Sequence, residues 1–468
     1  MDSSLTQQLV IDIRQKPVNA HDRQRSAQHV LDWLACATAG MDSEVGRIYL
    51  SYAEQAPPGK ATTIDGKQRY WPDVIACNAA LGNILEMDDI HRRSILHPGP
   101  VVIPAALAMA EQVDADIPTL LDAIIHGYEV TIRLGQAIGR SHYRYFHNTS
   151  SCAAIGAAMA CATLLKLSVE QTVSALGNTG SRTGGLWQMR HESVMTKQWH
   201  NSEAAKSGAL AAWLAKTGLT GPTQILEGPQ GVFAALSDDA TPGAFIAKAP
   251  DWLIYDCSFK PWPACRHAHP AMDALLHTLE FANNKRRPQN SAAITADDIA
   301  AIDIFTYQDA VTFCDRLQVN SENHAKFSIQ HAISALIIKG EPRLKHYQQD
   351  SFTNPLLVEF RQKVNVYVST EIENRYPKHY GATCTITMID GQSFSVERID
   401  TLGDPECPMS ENQLTHKARM LFDAAGLAQA DSQALLELDW TKKKDLTNLT
   451  QHFGTARQDV IREGGYNG

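Results

Sequence analysis

The sequence has few of the features that mark a secreted or metal-stapled protein. Its nine cysteines are an odd number, and no two of them form a CxxC pair. Disulfide frameworks need paired cysteines in an oxidising compartment, and structural zinc needs closely spaced ligands. We therefore expect reduced, mostly buried cysteines and a cytoplasmic protein.

Signals for membranes and nucleic acids are also missing. No apolar run approaches the about 18 residues that a spanning helix needs, and the polar start MDSSLTQQLV predicts no signal peptide. The net charge is −9, without the basic excess that is typical of nucleic-acid-binding proteins. We expect neither a membrane nor a nucleic acid as partner.

Common cofactor and catalytic motifs are absent as well. The sequence contains no GxGxxG, GxxxxGK[ST], HExxH or GxSxG motif. Nucleotide and redox-cofactor chemistry therefore have no positive support, and we expect no cofactor. The 468 residues, 44% of them hydrophobic, suffice for a large buried core and suggest about two or three domains.

What the sequence does contain is a helical pattern at both ends and a mixed pattern between them. Apolar periodicity predicts helices over 22–40, 101–112, 120–138, 152–166 and 203–217. After about residue 250, strands are predicted at 302–307 and 364–369, a hairpin at 383–399 around Asp390–Gly391, and helices at 269–282 and 325–339. From Pro408 the chain turns helical again. We predict a mainly α protein with an α+β insert: a helical domain (1–257 and 400–468) and a smaller α+β lid domain (258–399).

The first chemically suggestive segment is Glu86–Gly99, EMDDIHRRSILHPG. It places three carboxylates, two histidines and two arginines close together, with apolar neighbours such as Met87 and Ile90. By itself it could be a solvated loop, but partial burial would force the carboxylates to find partners. We expect His97-Pro-Gly to form a turn before the 101–112 helix.

Two further segments lie beside predicted helix starts. Phe146–Ser151 (FHNTSS) offers His147 and several capping groups, a donor-rich spot that suits a carboxylate. Thr196–His200 (TKQWH) offers Lys197 as a point charge for a substrate carboxylate. Taken singly, a structural histidine and an exposed lysine are the simpler interpretations.

The fourth segment, Phe259–Pro270, lies where the helical pattern gives way to the mixed one. It carries Lys260, Cys265, Arg266 and two histidines between stiffening prolines. We expect it to line a cleft between the domains. Its histidines are two residues apart and would diverge on a helix, so we predict no metal site.

In this order, the four segments resemble the MmgE/PrpD family, which includes 2-methylcitrate dehydratase, cis-aconitate decarboxylase and iminodisuccinate epimerase. The residues that carry the resemblance are EMDDIHRRSILHPGPVVIPAALAMAE (86–111), FHNTSSCAAIGAAMACATLLKLS (146–168), KQWHNSEAAKSGALAAWLAKTGLTGPTQILEGPQGVF (197–233) and SFKPWPACRHAHPAMDALL (258–276). The resemblance implies a helical domain from both chain ends with an inserted lid, catalysis without cofactor or metal, and a homodimer.

The resemblance and the four segments together define the candidate residues. We assign catalysis to His97, His147, Asp88, Asp89, Lys197 and Lys260. We assign substrate binding to Glu86, Arg92, Arg93, His200, Cys265, Arg266, His267 and His331. The chain departs from the decarboxylase branch at Ile90, where that branch has a threonine, at Cys265, where it has a histidine, and at His331, where it has a tyrosine. Ser202 and Glu203 also replace the usual glycine and its follower.

These residues suggest a mechanism on a small di- or tricarboxylate. Lysines and arginines hold the carboxylates, one group removes the proton alpha to a carboxylate, and another protonates the leaving group or the opposite face. Elimination gives a dehydratase, proton return to the other face an epimerase, and CO2 loss a decarboxylase. We favour a hydro-lyase, because it needs no residue that is missing here. A non-catalytic carboxylate-binding homologue is the rival from another class, and a metal-dependent hydrolase is a weaker one.

Overall fold

The computed structural model describes residues 3–192, 194–286, 293–440, 442 and 445–454. The helices, in chain order, are α1 Leu5–Gln15, α2 Ala20–Gly40, α3 Glu44–Ala53, α4 Trp71–Leu81, α5 Gly99–Gln112, α6 Ile117–Ala137, α7 Asn148–Leu164, α8 Val169–Gly180, α9 Thr196–Lys216, α10 Val232–Leu236, α11 His269–Arg286, α12 Gln308–Cys314, α13 Glu322–Lys326, α14 Ile329–Lys339, α15 Gln349–Phe352, α16 Pro355–Arg361, α17 Thr370–Glu373, α18 Glu411–Ala424, α19 Gln429–Leu436 and α20 Thr447–Thr450. The strands are β1 Ala61–Thr62, β2 Gln68–Arg69, β3 Ile299–Thr306, β4 Val364–Val368, β5 Ala382–Met388 and β6 Ser393–Arg398. The predicted fold class, mainly α with an α+β insert, is confirmed.

The chain divides into two compact units. The first, the helical unit, comprises 1–84, 88–257 and 411–468, and the second, the α+β unit, comprises 85–87 and 258–410. Both chain ends therefore contribute to the helical unit. Residues 400–410, which we assigned to the helical domain, and the short stretch 85–87 belong to the α+β unit.

The helical unit is built around α7, which packs against α5, α6, α8 and α9. Small residues allow this packing, because a Cβ at Gly156 would lie 1.9 Å from Thr131 Oγ1 and 2.5 Å from the Gly127 carbonyl oxygen. On α9, a Cβ at Gly208 would lie 2.3 Å from the Ala154 carbonyl oxygen. Glycine at these positions therefore lets the backbones of neighbouring helices approach closely. None of the described helices is long and apolar enough to cross a membrane.

The α+β unit has a four-stranded sheet in the order β4-β3-β5-β6. β3 pairs with β4 in parallel, and the other pairs are antiparallel. Alternation of buried and half-buried residues along β5 puts Cys384 and Ile386 into the core, together with residues of α11 and α14. The predicted hairpin at 383–399 is confirmed.

Two predicted helix boundaries differ from the structure. The helix predicted over 325–339 is interrupted, because Ser328 Oγ accepts a hydrogen bond from the His331 backbone N–H and so caps a new helix, α14. Lys197, placed before a helix by the sequence analysis, lies in the first turn of α9.

Candidate active site

The loop before α5 is held in an unusual backbone conformation. His91 and Leu96 form an isolated antiparallel bridge, and Ile95 between them has a φ of 49°. A β-branched residue at positive φ is rare, because Cβ crowds the backbone, so the surrounding contacts must impose this turn. The turn delivers His97 to the start of α5, whose first residue is Gly99. We predicted a turn at His97-Pro-Gly; the structure has the turn earlier, at 92–95, and a bend at Pro98 that leads directly into this helix.

Asp89 anchors the same loop. Its Oδ2 accepts hydrogen bonds from His29 Nδ1 and from the Tyr128 hydroxyl, each at 2.7 Å, and its Oδ1 accepts one from the Gly99 backbone N–H at 3.0 Å. Burial acts to raise the pKa of Asp89, but the hydrogen bonds from His29 and Tyr128 outweigh it and leave the pKa lowered. Because both oxygens hold the loop to α2, α5 and α6, Asp89 is better suited to positioning than to proton transfer.

His97 is oriented by its Nδ1 atom. That atom is 2.9 Å from Asp88 Oδ2 and 2.8 Å from the Asp89 carbonyl oxygen. Both partners are acceptors, so Nδ1 carries the proton and Nε2 is the basic nitrogen of the neutral ring. Asn83 Nδ2 donates to the same Asp88 oxygen at 2.7 Å and fixes the carboxylate. The Asp88 carboxylate orients the His97 imidazole and is itself held by Asn83. General acid–base catalysis uses this kind of arrangement.

The start of α7 is joined to this loop. The His97 backbone N–H donates to Thr149 Oγ1 at 3.0 Å, and Asn148 Nδ2 donates to the Ser94 carbonyl oxygen at 2.8 Å. His147 is the N-cap residue of α7, so the two predicted histidines flank the same helix start. The structure therefore brings His97 and His147 together.

His147 also lies beside the start of α9. Its Nδ1 is 3.3 Å from His200 Nδ1, and its ring packs 4.5 Å from the Trp187 ring. Burial lowers the pKa of His147 well below the ordinary value, and the charge of Lys197 lowers it further. His147 is therefore neutral near pH 7. Lys197 stands in the positive, N-terminal turn of α9, where a cation is unfavourable unless an anion accompanies it.

A pocket opens next to His200 in the helical unit. It has a volume of about 650 Å³ and is lined by residues that include Ser150, Arg182, Gly185 and His200. Gly185 has a φ of +119°, and a Cβ there would meet Ser150 Oγ at 2.9 Å. This φ and this close contact require glycine at the position, whose backbone carbonyl accepts a hydrogen bond from the His147 N–H at 2.8 Å.

The two predicted arginines of the loop differ in exposure. Arg92 is buried and Arg93 is exposed. Burial is the main cause that lowers the pKa of His91 to about 3, and the charges of Arg93 and Arg92 lower it further. The His91 ring is therefore neutral near pH 7. Arg92 thus remains a candidate for holding a substrate carboxylate, whereas nothing in the geometry singles out Arg93.

Two predicted residues form a buried ion pair in the α+β unit. Lys260 is only 1% exposed, and its Nζ lies 3.8 Å from Glu86 Oε2. Glu86 has a φ of 57°, a strained conformation for a non-glycine residue. From the sequence we predicted catalysis for Lys260 and substrate binding for Glu86, and the structure places both in one cluster.

The remaining predicted residues of the α+β unit have structural surroundings. Arg266 forms a buried ion pair with Asp404. His267 Nδ1 is 2.8 Å from the Tyr307 hydroxyl and the ring stacks on aromatic neighbours. His331 Nε2 donates to the His346 carbonyl oxygen at 2.8 Å, and burial lowers its pKa to about 4. A role in folding is the simpler interpretation for these three.

Cys265 differs from them because Glu86 and Lys260, two other predicted site residues, act on its thiol. A hydrogen bond with Cys314 is the largest influence on its pKa, which is lowered despite burial, and Glu86 and Lys260 act on it electrostatically. Cys265 thus belongs to the cluster around Lys260. Its role in substrate binding remains a prediction.

Several residues near the predicted site were missed by the sequence analysis. They are His29, Asp32, Asn83, Tyr128 and Lys417. His29 and Asp32 carried a usable signal, since two ionisable residues one turn apart stand in the mostly apolar helical stretch 29–39. Lys417 had none, because 385 positions separate it from its partner Asp32.

One group among the described residues has the make-up of a metal site. His379, Asp400 and Glu406 each offer a ligand atom, and these atoms lie within 4.8 Å of one another. His379 Nδ1 and Asp400 Oδ1 are 2.8 Å apart, a hydrogen bond that accounts for their closeness without a metal. The group belongs to the α+β unit and contains none of the predicted site residues.

Taken together, the helical unit carries a buried acid–base cluster at a meeting point of helix starts, and the α+β unit carries a second ionisable cluster. Comparison with known proteins gives the class. The MmgE/PrpD N-terminal domain model matches residues 7–244 and the C-terminal domain model matches residues 262–442. The chain belongs to the MmgE/PrpD family, as the sequence resemblance suggested.

Named relatives in this family are cis-aconitate decarboxylases. The mouse enzyme is 27% identical over 408 residues, covering 84% of this chain and 81% of its own length. The human enzyme is 27% identical over 409 residues, covering 85% and 82%. A cis-aconitate decarboxylase-like protein of Aspergillus oryzae is 28% identical over 246 residues, covering 48% of this chain and 49% of its own length.

Proposed function

We propose that the protein is a lyase that removes a proton alpha to a carboxylate of a small di- or tricarboxylic acid, using its own side chains as acid and base. One observation carries the proposal. The starts of α5, α7 and α9 meet around His97, His147 and Lys197. Unpaired N–H groups at helix starts favour anions, and a lysine among them adds a full charge.

Within this proposal, His97 is the base. Its proton sits on Nδ1 between two acceptors, which leaves Nε2 to take the substrate proton, and Asp88 stabilises the imidazolium that forms. His147, neutral and buried, serves as a hydrogen-bonding partner for the substrate. Lys197 and Arg92 hold carboxylates and stabilise the developing enolate. We propose Lys260 as a further cation that holds a substrate carboxylate.

For the reaction itself we favour elimination of water, since the imidazolium that forms when His97 takes the substrate proton can return that proton to the leaving hydroxyl, and no further group is needed. Decarboxylation is the second candidate, because the named relatives are cis-aconitate decarboxylases. Ile90, Cys265 and His331 depart from the decarboxylase pattern and favour the first candidate. The two reactions differ in their products, one releasing water and the other CO2.

A proton-exchange screen tests the proposal. The protein is incubated in deuterated water with citrate-like, aconitate-like and succinate-derived acids, and label at the alpha carbon is measured by mass spectrometry. We expect label with the wild-type protein and none with His97→Ala or Lys197→Ala. Product analysis for water loss, CO2 release or inversion then assigns the reaction.

The same variants separate an enzyme from a non-catalytic homologue. A carboxylate-binding protein would retain ligand affinity in His97→Ala and would label no substrate. If no acid in the screen is labelled by the wild-type protein, the enzymatic proposal is wrong. If label persists in His97→Ala, the assignment of the base is wrong.

We also propose a homodimer, as the family resemblance implies. Ile48 on α3 and Trp199 and Leu210 on α9 are 52%, 57% and 43% exposed, an apolar surface that a second copy could cover. Sedimentation equilibrium should give twice the mass of the 51.4 kDa chain. Leu210→Glu should shift it towards one chain, and a monomeric wild type would refute the proposal.

A further inference from the structure

A buried arginine without a carboxylate partner lies in the α+β unit. Arg361, the last residue of α16, is 4% exposed. Among the described residues its one hydrogen bond runs from Nη2 to the Phe352 carbonyl oxygen at 2.8 Å, and its buried Nε and Nη1 atoms have no partner. Burial lowers the pKa of Arg361, but a guanidinium stays protonated in proteins. The α+β unit therefore contains a buried positive charge that no described carboxylate pairs with.

Three further buried side chains of the same unit have polar atoms without a described partner. His331 on α14 donates from Nε2 to the His346 carbonyl oxygen at 2.8 Å, so Nδ1 of the neutral ring is an acceptor, and this acceptor has no partner among the described residues. The same holds for the hydroxyl groups of Tyr347 and of Ser351 on α15. Buried polar groups are nearly always hydrogen-bonded, so these residues require an explanation.

Contacts between helices bring the four residues into one region, the Arg361 cluster, which consists of His331, Tyr347, Ser351 and Arg361. The His331 ring packs edge-on against the Tyr347 ring at 5.5 Å. Arg361 reaches the carbonyl oxygen of Phe352, the neighbour of Ser351, and α16 packs against both α14 and α15. Burial lowers the pKa of His331, and the Arg361 charge lowers it further. The Arg361 cluster therefore combines one fixed cation, one acceptor nitrogen and two hydroxyl groups.

Neither packing nor hydration alone accounts for this composition. An apolar side chain would fill a core position at least as well, because a buried charge without a partner is strongly destabilising. Water molecules can satisfy the hydroxyl groups and the imidazole nitrogen, but they are neutral and leave the guanidinium charge unbalanced. A bound anion satisfies the hydrogen bonds and the charge together.

Three exposed cations lie close to the Arg361 cluster. Burial lowers the pKa of His346, and the charges of Lys345, Arg343 and Lys339 lower it further. Glu341 lies 3.8 Å from Arg343 and offsets part of this charge. Exposed cations next to a buried one raise the local concentration of anions. The surroundings of the cluster therefore also favour a negatively charged ligand.

We propose that the Arg361 cluster binds a small oxyanion that carries an O–H group, such as hydrogen phosphate. The guanidinium presents its donors in a rigid fork that suits charged oxygens, and the hydroxyl groups of Tyr347 and Ser351 donate to the same ligand. His331 Nδ1 accepts the proton of the ligand. The inference goes beyond the proposed function, because it concerns binding rather than the reaction, and of these residues only His331 was predicted from the sequence.

Thermal unfolding of the full-length protein, followed by circular dichroism, tests the inference without a substrate. Inorganic phosphate is titrated near pH 7 at constant ionic strength, and sulfate serves as an anion of the same shape that carries no proton at this pH. A ligand that binds only the folded state raises the unfolding midpoint with its concentration. We expect sulfate to need a concentration at least about tenfold higher than phosphate, because it leaves His331 Nδ1 without a donor.

Two variants of the cluster and one matched control identify the site. Arg361→Met should weaken phosphate binding on the order of 100-fold, since the ligand loses its charged partner. Tyr347→Phe keeps the ring and should weaken binding about fivefold. The control is Arg375→Met, whose arginine already pairs with Glu397 in the same unit, and it should respond to phosphate like the wild type. Both salts also stabilise proteins nonspecifically, so binding is measured as the difference from Arg361→Met.

Equal responses of the wild type and Arg361→Met to phosphate would overturn the inference, as would equal responses of the wild type to phosphate and sulfate. If Arg361→Met does not fold, Tyr347→Phe decides, and an unchanged response in that variant would also overturn it. Lys197→Met separates the inference from the proposed function. The response to phosphate should persist in Lys197→Met, whereas its loss would mean that phosphate binds at the proposed active site instead.

Discussion

His126 provides a direct measure of how burial keeps histidines neutral in the helical unit. The ring is packed 5.5 Å from the Trp252 ring, and Nδ1 lies 3.1 Å from Thr163 Oγ1. Thr163 donates its own hydroxyl hydrogen to the Met159 carbonyl oxygen, so His126 is the donor to Thr163. Burial, with a smaller effect of the Arg14 charge, lowers the pKa of His126 to about 4. The perturbation we propose is His126→Asn, which can keep this donor.

The size of the effect follows from the thermodynamic linkage between proton binding by His126 and folding. The folded-state pKa lies below the value of about 6.5 in the unfolded chain, so the stabilising contribution is complete above about pH 6.5 and is lost as the pH falls towards 4. Between about pH 7.5 and about pH 5, a shift of this size changes the free energy of unfolding by about 2 kcal/mol. His126→Asn removes this pH-dependent contribution to the free energy of unfolding. Any stability lost through poorer packing of the variant is the same at both pH values.

Urea-induced unfolding followed by circular dichroism measures the effect. We expect the wild-type free energy of unfolding to fall between the two pH values by about 2 kcal/mol more than that of His126→Asn. The exposed His21→Asn variant is the matched control and should retain the wild-type pH dependence. Equal pH dependence in wild type and His126→Asn would refute the reasoning, including its use for neutral His147.

Further predictions concern the proposed site. Asp88→Asn should lower kcat/KM in the proton-exchange assay on the order of 10³-fold, because His97 loses the carboxylate that stabilises its imidazolium; retention of activity would remove Asp88 from the mechanism. Lys197→Met should abolish detectable proton exchange, as expected for Lys197→Ala, because the substrate carboxylate and the developing enolate lose their cation, whereas Lys216→Met at the exposed end of α9 should change neither kcat nor KM; equal effects would contradict a specific anion contact. Chelation with EDTA and the variant His379→Gln should leave proton exchange unchanged, and elemental analysis should find no stoichiometric metal; loss of activity with EDTA would instead favour a metal-dependent enzyme.

The helical pattern of the chain was predictable because it depends on local periodicity. The repeat of apolar residues along α2 and α6 and the small residues of α7 mark buried helices without reference to any partner. The capping box of Ser168 and Gln171 likewise uses groups three residues apart, and the structure contains it. The interruption before α14 was not predicted. Ser328 can cap a helix only where its own backbone is non-helical, and the sequence does not show where that occurs.

The candidate site was partly predictable, since His97, His147 and Lys197 stand in short segments where ionisable residues meet helix starts. The sequence by itself therefore determined the elements, the family and most of the charged groups. Only the tertiary structure decided which nitrogen of His97 is basic, that His147 is neutral, and that Asp32 and Lys417 lie near Asp88 and Asp89. These properties depend on desolvation and on contacts between residues up to 385 positions apart, and no local pattern encodes either.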